Sequence, residues 1–267
     1  MRARAKKDLL HLDLGRIEFF KYLTNDTWIR DFSPIASLDA AVQHHGFIFN
    51  GWGEKFAHEH DQHFSENFCA HHNIDLHQHD LHLEGGALET NGAGLLMART
   101  SSILNPNRKN PPKEQTEQIL QKALAIKSFA WLEHGDLVND DTDAHIDMLA
   151  RFCDQRTIAY FSCTDKGYPY YNELSLMKEE LELLAQKYNL HLVALPFVYY
   201  KESPATYCNF LLTNNSILMP TYNHKNDQKA CDILKSLFPG KKLKCIDARA
   251  LIKQGGAIHC ASANIYY

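Results

Sequence analysis

Hydrophobic and polar positions along the chain follow two periods that recur in the same order. Four segments have helical spacing, namely 60–72, 113–125, 174–188 and 226–238. In the third of these, Leu174, Met177, Leu181, Leu184 and Tyr188 fall on one face of a helix. A short β-type run follows each segment, at 74–83, 128–132, 190–197 and 242–248. The pattern therefore predicts a helix followed by a strand, four times over.

A fifth unit is indicated at the start of the chain. The run IEFF at 17–20 predicts a fifth strand, whose helix would lie upstream or be lost. Because only 27 residues precede Trp28, we expect the first unit to be incomplete. The Pro/Asn segment at 105–112 predicts a loop before a helix rather than a boundary, so we expect one domain over 1–267.

A polar residue follows each predicted strand at a similar interval. In chain order these residues are Asp31, Glu84, His145, Asn209 and Cys260, spaced 51 to 64 residues apart. Repeated units arranged around an axis would bring equivalent positions together at one end of that axis. Two acids, an imidazole, an amide and a thiol would then meet. Spacing alone is equally compatible with coincidence in an α/β chain.

The composition narrows the class of protein. The 267 residues are 45% apolar and 22% charged, with a net charge of −4, which argues against binding nucleic acid or anionic membranes. No apolar run reaches the length of a membrane span, and the basic start MRARAKKDLL lacks the apolar core of a signal peptide. Seven scattered cysteines without a CxxC suit a reducing cytoplasm. We expect the six other than Cys260 to be buried structural thiols.

The residue types indicate chemistry on a cation. Cys260 and His145 supply a nucleophile and an acid/base partner. A cysteine needs positive charge nearby to ionise, whereas Asp31, Glu84 and Asp147 would raise its pKa. Carboxylates bind the N–H fork of a guanidinium, and the charge of such a substrate would favour the thiolate. The set therefore suits attack on a guanidinium carbon.

Two local features are consistent with this reading. The pair Gly85 and Gly86, and the two glycines before Cys260, permit tight turns and close approach of the backbone to a ligand. The segment HID places His145 and Asp147 on one side if it is extended, so that both could face one ligand.

Histidine usage leaves a metal-dependent alternative open. Ten of the sixteen histidines lie between His44 and His82. Within one predicted strand, His77, His79, His82 and Glu84 could bind zinc or nickel in an amidohydrolase acting on the same type of bond. The odd offset between His79 and His82 places them on opposite faces, which favours an exposed histidine-rich segment. A guanidinium-binding protein without turnover is a further alternative.

Six segments point to a known family. In chain order they are NDTWIRDFSPI (25–35), FNGWGEKF (49–56), LEGGALETNGAGLLM (83–97), NDDTDAHIDMLARF (139–152), NFLLTNNSILMPTYN (209–223) and GGAIHC (255–260). Together they resemble the agmatine deiminase branch of the guanidine-modifying pentein superfamily, which also contains the bacterial-type peptidylarginine deiminases. The resemblance covers nearly the whole chain.

The resemblance implies an α/β fold, a five-bladed propeller of ββαβ-type modules. It also implies deimination of agmatine to N-carbamoylputrescine and ammonia through a covalent cysteine intermediate, a step of putrescine biosynthesis, without a cofactor. Cys260 would be the nucleophile, His145 the acid/base, and three carboxylates would face the guanidinium. Trp28, Asn209, Gly85 and Gly86 would line the substrate site. Peptidylarginine and free arginine stay open as alternative substrates. The sequence is compatible with a homo-oligomer but does not determine the oligomeric state.

Overall fold

The computed structural model describes residues 14–38 and 41–266. In this part of the chain, twelve strands form four three-stranded sheets. The strands are β1 Ile35–Leu38, β2 Val42–Ile48, β3 Leu76–His82, β4 Glu89–Thr90, β5 Leu95–Arg99, β6 Ser128–Leu132, β7 Ala150–Phe152, β8 Thr157–Phe161, β9 His191–Leu195, β10 Leu211–Leu212, β11 Ser216–Thr221 and β12 Lys242–Asp247. The four predicted strands correspond to the last strand of each sheet.

Four helices of more than two turns complete the repeat. They are α1 Phe64–His72, α2 Lys113–Leu124, α3 Tyr171–Tyr188 and α4 Asp227–Leu237. The helical spacing in the sequence is confirmed, since Leu174, Met177 and Leu181 of α3 are buried. Helix α1 starts later than predicted because Asp61–His63 forms a 3₁₀ turn before it. Helix α3 ends where Asn189 adopts a left-handed conformation, a common helix terminator.

Each sheet is built in the same way. Its first two strands pair antiparallel, as β1 does with β2, and its second and third strands pair parallel, as β2 does with β3. One of the four helices lies between the second and third strand in every case, because parallel neighbours require a crossover connection. The result is a ββαβ module repeated four times among the described residues.

Single turns of helix join and flank these modules. They are Leu14–Arg16, Ile29–Asp31, Gly51–Glu54, Gly85–Ala87, Thr100–Ile103, Pro106–Arg108, Ile146–Leu149 and Ile252–Gln254. Three of these turns carry residues singled out in the sequence, namely Asp31, Gly85 and Asp147. The strand repeat therefore sets the spacing of the polar residues, while short turns set the direction of their side chains.

The predicted strand at 17–20 is wrong. These residues form no regular element, and the Phe20 ring instead packs against Phe64 and Phe68 of α1, with centroids 6.1 and 5.6 Å away. The apolar run is used in an aromatic cluster rather than in a sheet. The basic start at 1–10 lies outside the described residues.

The buried core runs through all four modules. A main cluster extends from Trp28 to Cys260, and a second one packs Leu81 and Leu96 of β3 and β5 against Leu120 of α2. No helix in the described part of the chain is both long and apolar enough to cross a bilayer.

Candidate active site

The thiol of Cys260 lies in a polar, solvent-shielded environment. Its Sγ is 3.2 Å from Nδ2 of Asn209 and 3.8 Å from Oδ2 of Asp147, and the cysteine is only 9% exposed. The Asn209 Oδ1 also accepts the backbone N–H groups of His259 and Cys260, at 3.0 and 3.3 Å. One amide side chain thus holds both the backbone and the sulfur of the cysteine.

Asp147 is held by two side chains from other parts of the chain. Its Oδ2 is 2.7 Å from Nδ1 of His259 and accepts a hydrogen bond from Nδ2 of Asn209 at 3.2 Å. Burial, followed by the positive charges of Arg151 and Arg30, lowers the pKa of His259 well below its usual value. The imidazole of His259 is therefore neutral, and its Nδ1 shares one hydrogen bond with the Asp147 carboxyl group. The second oxygen of Asp147 has no hydrogen-bond partner among the described residues.

His145 lies between the other two carboxylates. Its Nδ1 is 3.7 Å from Oδ1 of Asp31, and its Nε2 is 3.7 Å from Oε2 of Glu84. All three side chains are buried. The backbone of Gly86 passes close by, because its N–H donates to Oδ1 of Asp31 at 2.9 Å and a Cβ there would meet His145 Nδ1 at 2.6 Å. Any side chain in place of Gly86 would therefore collide with His145, so this position requires glycine whether or not a ligand is bound.

Further side chains orient these carboxylates. Arg108, which is fully buried, donates from Nε to Oε1 of Glu84 at 2.8 Å and from Nη2 to the carbonyl of Thr142 at 3.1 Å. Trp52 donates its indole N–H to Oδ2 of Asp31 at 3.0 Å. Its backbone φ of 56° is unusual for a bulky side chain, and such outliers cluster at functional sites.

Sequence reasoning missed the supporting roles of His259, Arg108 and Trp52. His259 is adjacent to Cys260 in the sequence, so its position was a usable signal. Arg108 lies in a Pro/Asn loop, and nothing in the local pattern distinguishes it from a surface arginine. Trp52 reads equally as a core residue, which its 4% exposure bears out, and its indole N–H bond depends on the fold.

The extended conformation expected for HID is wrong. His145 precedes a helical turn over Ile146–Leu149, and its backbone N–H donates to the hydroxyl of Thr142 at 3.1 Å. Both side chains still lie next to Gly86, where a Cβ would meet His145 Nδ1 at 2.6 Å and Asp147 Oδ2 at 3.2 Å. The same-side arrangement therefore arises by a different geometry.

The remaining predicted residues flank this group. Trp28 is 8% exposed, and its ring covers Gly256, where a Cβ would meet ring carbons at 2.7 to 2.9 Å. A Cβ on Gly85 would meet the carbonyl oxygen of Arg30 at 2.2 Å. These glycines allow segments of the chain to approach each other around Cys260.

Burial and neighbouring charges shift the pKa values of both Cys260 and His145. Burial raises the pKa of Cys260 well above its usual value, and Asp147 and Asp31 raise it further. Burial opposes the charged form of His145, but Asp31 and Glu84 raise its pKa to about 9. At neutral pH the free protein therefore holds a protonated thiol beside a protonated imidazole.

The histidine cluster does not form a metal site at Cys260. In residues 14–38 and 41–266, one group has the spacing of metal ligands, Glu18 with His71 and His72, and none of its members belongs to the Cys260 site. His79 instead bonds to His45, with 2.9 Å between the ring nitrogens.

Asp147 provides a test of the electrostatics. Burial raises its pKa to about 7, although His145 lowers it, so the folded chain keeps a proton that the unfolded chain loses near pH 4. Stability from this group therefore falls as the pH rises from about 4 to 7. Asp147→Asn abolishes this titration. In thermal melts across this range, we expect the variant's Tm to rise relative to the parent and to level off above about pH 7.

Asp154→Asn is the matched control for this series. Burial is the largest single influence and raises the pKa of Asp154, but hydrogen bonds from Arg156 and Thr157 together outweigh it and lower the pKa. The titration window of Asp154 therefore lies below pH 4. Its Tm difference from the parent should stay level between about pH 4 and 7. A level difference for Asp147→Asn as well would contradict the raised pKa.

The fold resembles that of solved structures of known proteins. A solved structure of a cysteine-to-serine variant of C. jejuni agmatine deiminase with substrate bound aligns with a TM-score of 0.86 and 36% identity, covering 96% of this chain and 78% of that chain. A P. gingivalis structure provisionally named an arginine deiminase aligns with a TM-score of 0.90 and 37% identity, covering 96% and 80%. The chain has the mixed α/β fold of these proteins.

Sequence comparison defines the family. A relative from Shewanella frigidimarina, provisionally named an agmatine deiminase, is 30% identical over 275 residues, which are 91% of this chain and 74% of the relative. Residues 1–265 match the family described as Porphyromonas-type peptidyl-arginine deiminase. The chain belongs to this family, as its sequence segments predict.

Proposed function

We propose that this protein hydrolyses agmatine to N-carbamoylputrescine and ammonia, a step that supplies putrescine. One observation carries the proposal: Cys260 and His145 are buried together with the carboxyl groups of Asp31, Glu84 and Asp147, and close contacts around Gly86 join these side chains into one group. A guanidinium is the ligand whose planar N–H groups such carboxylates bind in pairs. The similarity to the substrate-bound C. jejuni agmatine deiminase supports the same substrate class.

The first half of the reaction uses the thiol and the imidazolium. Burial and the carboxylates raise the pKa of Cys260, and the bound cation offsets the effect of the carboxylates. The thiol then gives its proton to the carboxyl oxygen of Asp147, 3.8 Å from Sγ, and Sγ attacks the guanidinium carbon. His145 gives its proton to the departing nitrogen, which leaves as ammonia. A covalent amidino-thioether on Cys260 remains.

The second half of the reaction uses the same histidine in the opposite direction. His145, now neutral, takes a proton from water, and the resulting hydroxide adds to the amidino carbon. Collapse of this tetrahedral species expels the Cys260 thiolate, which takes up the hydroxyl proton, and leaves the ureido product. The proton held by Asp147 leaves with the ammonia as ammonium. No cofactor enters either half of the proposed reaction.

The contacts of the free site support the assignment of roles. Oδ1 of Asp147 and Oε2 of Glu84 have no hydrogen-bond partner among the described residues and are buried, so both can accept substrate N–H groups. Asp31 has one oxygen bound to Gly86 and the other to Trp52, which orients it for the same purpose. Asn209 positions the cysteine, while Trp28, Gly85 and Gly86 shape the site.

Four arginines bear on the choice of substrate. Free arginine would need a partner for its α-carboxylate, usually a guanidinium. Each candidate already has at least one protein acceptor: Arg30 the His259 carbonyl and Asn264, Arg99 Asp136, Arg108 Glu84, and Arg151 Glu89. Among these contacts, Nη1 of Arg99 has no hydrogen-bond partner in the described part of the chain. This occupancy favours a substrate without an α-carboxylate, as in agmatine.

We further propose that the four ββαβ modules belong to a five-bladed pentein propeller forming one domain over 1–267. The regular repeat supports this, because equivalent segments after the modules contribute Glu84, His145, Asn209 and Cys260 to one site. The described part of the chain contains four complete three-stranded sheets, and the fifth blade stays a proposal.

A substrate screen tests the activity directly. Purified protein is incubated with agmatine, free arginine or a peptide with a blocked arginine, and both ammonia and ureido product are measured. We expect turnover with agmatine far above the other two, unaffected by EDTA. Product formed only from the peptide, or only from free arginine, would instead indicate a peptidylarginine deiminase or a free-arginine deiminase. Loss of activity in EDTA would favour the metal-dependent alternative, and tight agmatine binding without ammonia would indicate a binding protein.

A further inference from the structure

Two cysteines outside the catalytic group lie in direct contact. The sulfur atoms of Cys231 in α4 and Cys245 in β12 are 3.6 Å apart, although neither is in a disulfide. The sequence-based expectation that all cysteines besides Cys260 are buried is wrong here, since Cys231 is half-buried and Cys245 is exposed. Solvent therefore reaches a pair of thiols that already touch.

The surroundings of the pair form an open cavity. It has a volume of about 350 Å³ and is lined by both thiols together with Asp227, Asp247 and Arg249. Asp247 and Arg249 form an ion pair at 2.6 Å on the wall of this cavity. Because the cavity is open and both thiols line it, a small disulfide can enter and reach the sulfur atoms.

We propose that Cys231 and Cys245 form a reversible disulfide by exchange with a small-molecule disulfide of the glutathione class. One cysteine thiolate attacks the small disulfide, releasing one small thiol and leaving a mixed disulfide on the protein. The second cysteine attacks the protein sulfur of that bond and releases the second small thiol. The two protein thiols are oxidised by two electrons, the small disulfide is reduced, and their two protons end on the released thiols.

The geometry requires only a small movement. A disulfide has sulfur atoms about 2.0 Å apart, so the two sulfurs must approach by roughly 1.6 Å. Strand β12 is paired along its whole length with β11, where Met219 faces Cys245. The backbone of Cys245 is thus fixed, and rotation of the two side chains supplies the movement.

The disulfide would link α4 covalently to strand β12 of the same module. Asp227, the first residue of α4, accepts hydrogen bonds from the Tyr207 hydroxyl at 2.7 Å and the Tyr222 N–H at 3.3 Å. A disulfide between residues 14 apart also restricts the unfolded chain. We therefore expect the bridged form to melt several degrees higher than the reduced form.

Mass spectrometry of the whole protein tests this proposal. The reduced protein is exposed to oxidised glutathione, quenched with N-ethylmaleimide and digested. We expect a linked peptide joining Cys231 to Cys245, with the mass of two hydrogens lost. Cys231→Ser and Cys245→Ser should each abolish it and leave glutathione on the remaining cysteine. Cys163→Ser, at another half-buried cysteine, is the matched control and should keep the link.

Two results would overturn the proposal. One is N-ethylmaleimide or glutathione on both Cys231 and Cys245 without a linked peptide, which would show that the thiols react but do not bridge. The other is an unchanged Tm after the link has formed, or a raised Tm that dithiothreitol does not reverse, which would refute the stabilising and reversible character of the bridge. Neither measurement depends on agmatine turnover.

Discussion

Replacing Cys260 with alanine is expected to abolish ammonia release from agmatine while leaving substrate binding intact. The nucleophile forms and breaks the covalent bond in both halves of the reaction, and loss of such a group costs turnover by a factor on the order of 10⁴ or more. Binding should persist because Asp31, Glu84 and Asp147 are unchanged. Turnover is measured as ammonia release, and affinity by calorimetry with agmatine.

The control for this variant is Cys163→Ala. Cys163 is half-buried, and its Sγ donates only to the carbonyl of Asp165 at 3.4 Å, so this change should leave turnover near the parent value. If Cys260→Ala retained turnover within about tenfold of the parent, covalent catalysis by this cysteine would be excluded. Loss of agmatine binding in a folded Cys260→Ala variant would argue against a site held together by the carboxylates.

Replacing Arg108 with methionine is expected to reduce both stability and turnover strongly. The change leaves the Glu84 carboxylate buried without its guanidinium partner, and breaking a buried ion pair in this way costs about 3–5 kcal/mol of unfolding free energy. Glu84 also loses the bond that orients it toward His145. Denaturant unfolding gives the first effect, and agmatine turnover well below the Tm gives the second.

Two further variants separate folding from function. In Arg108→Met combined with Glu84→Gln, no buried charge is left unpaired at this position, so stability should recover in part while turnover stays low. The neighbouring Lys109→Met breaks an exposed ion pair with Glu54 and should leave stability close to the parent. If Arg108→Met unfolds like the parent, the Arg108–Glu84 contact does not stabilise the fold.

Much of the architecture could be predicted from the sequence. The face of α3 that carries Leu174, Met177 and Leu181 is visible as a helical period, and β6 and β12 follow their helices as short β-type runs. These signals are local, because burial of one face imposes its period on adjacent residues. The prediction of a strand at 17–20 was wrong because the signal there is also only local: three apolar residues, Ile17, Phe19 and Phe20, suit a strand and an aromatic cluster equally well.

Residue types and their spacing were enough to predict the repeat and the family and to propose the candidate catalytic residues. The contacts and charges that surround these residues became visible only in the folded chain. His259 is hydrogen-bonded to Asp147 and Arg108 to Glu84, although these partners lie 112 and 24 residues apart in the sequence. The pKa of His145 likewise depends on Asp31 and Glu84, which belong to other modules. The contact between Cys231 and Cys245 likewise appears only when α4 lies against β12. Hydrogen bonds, burial and charge act over a few ångströms in space, and the fold sets which distant residues come within that range.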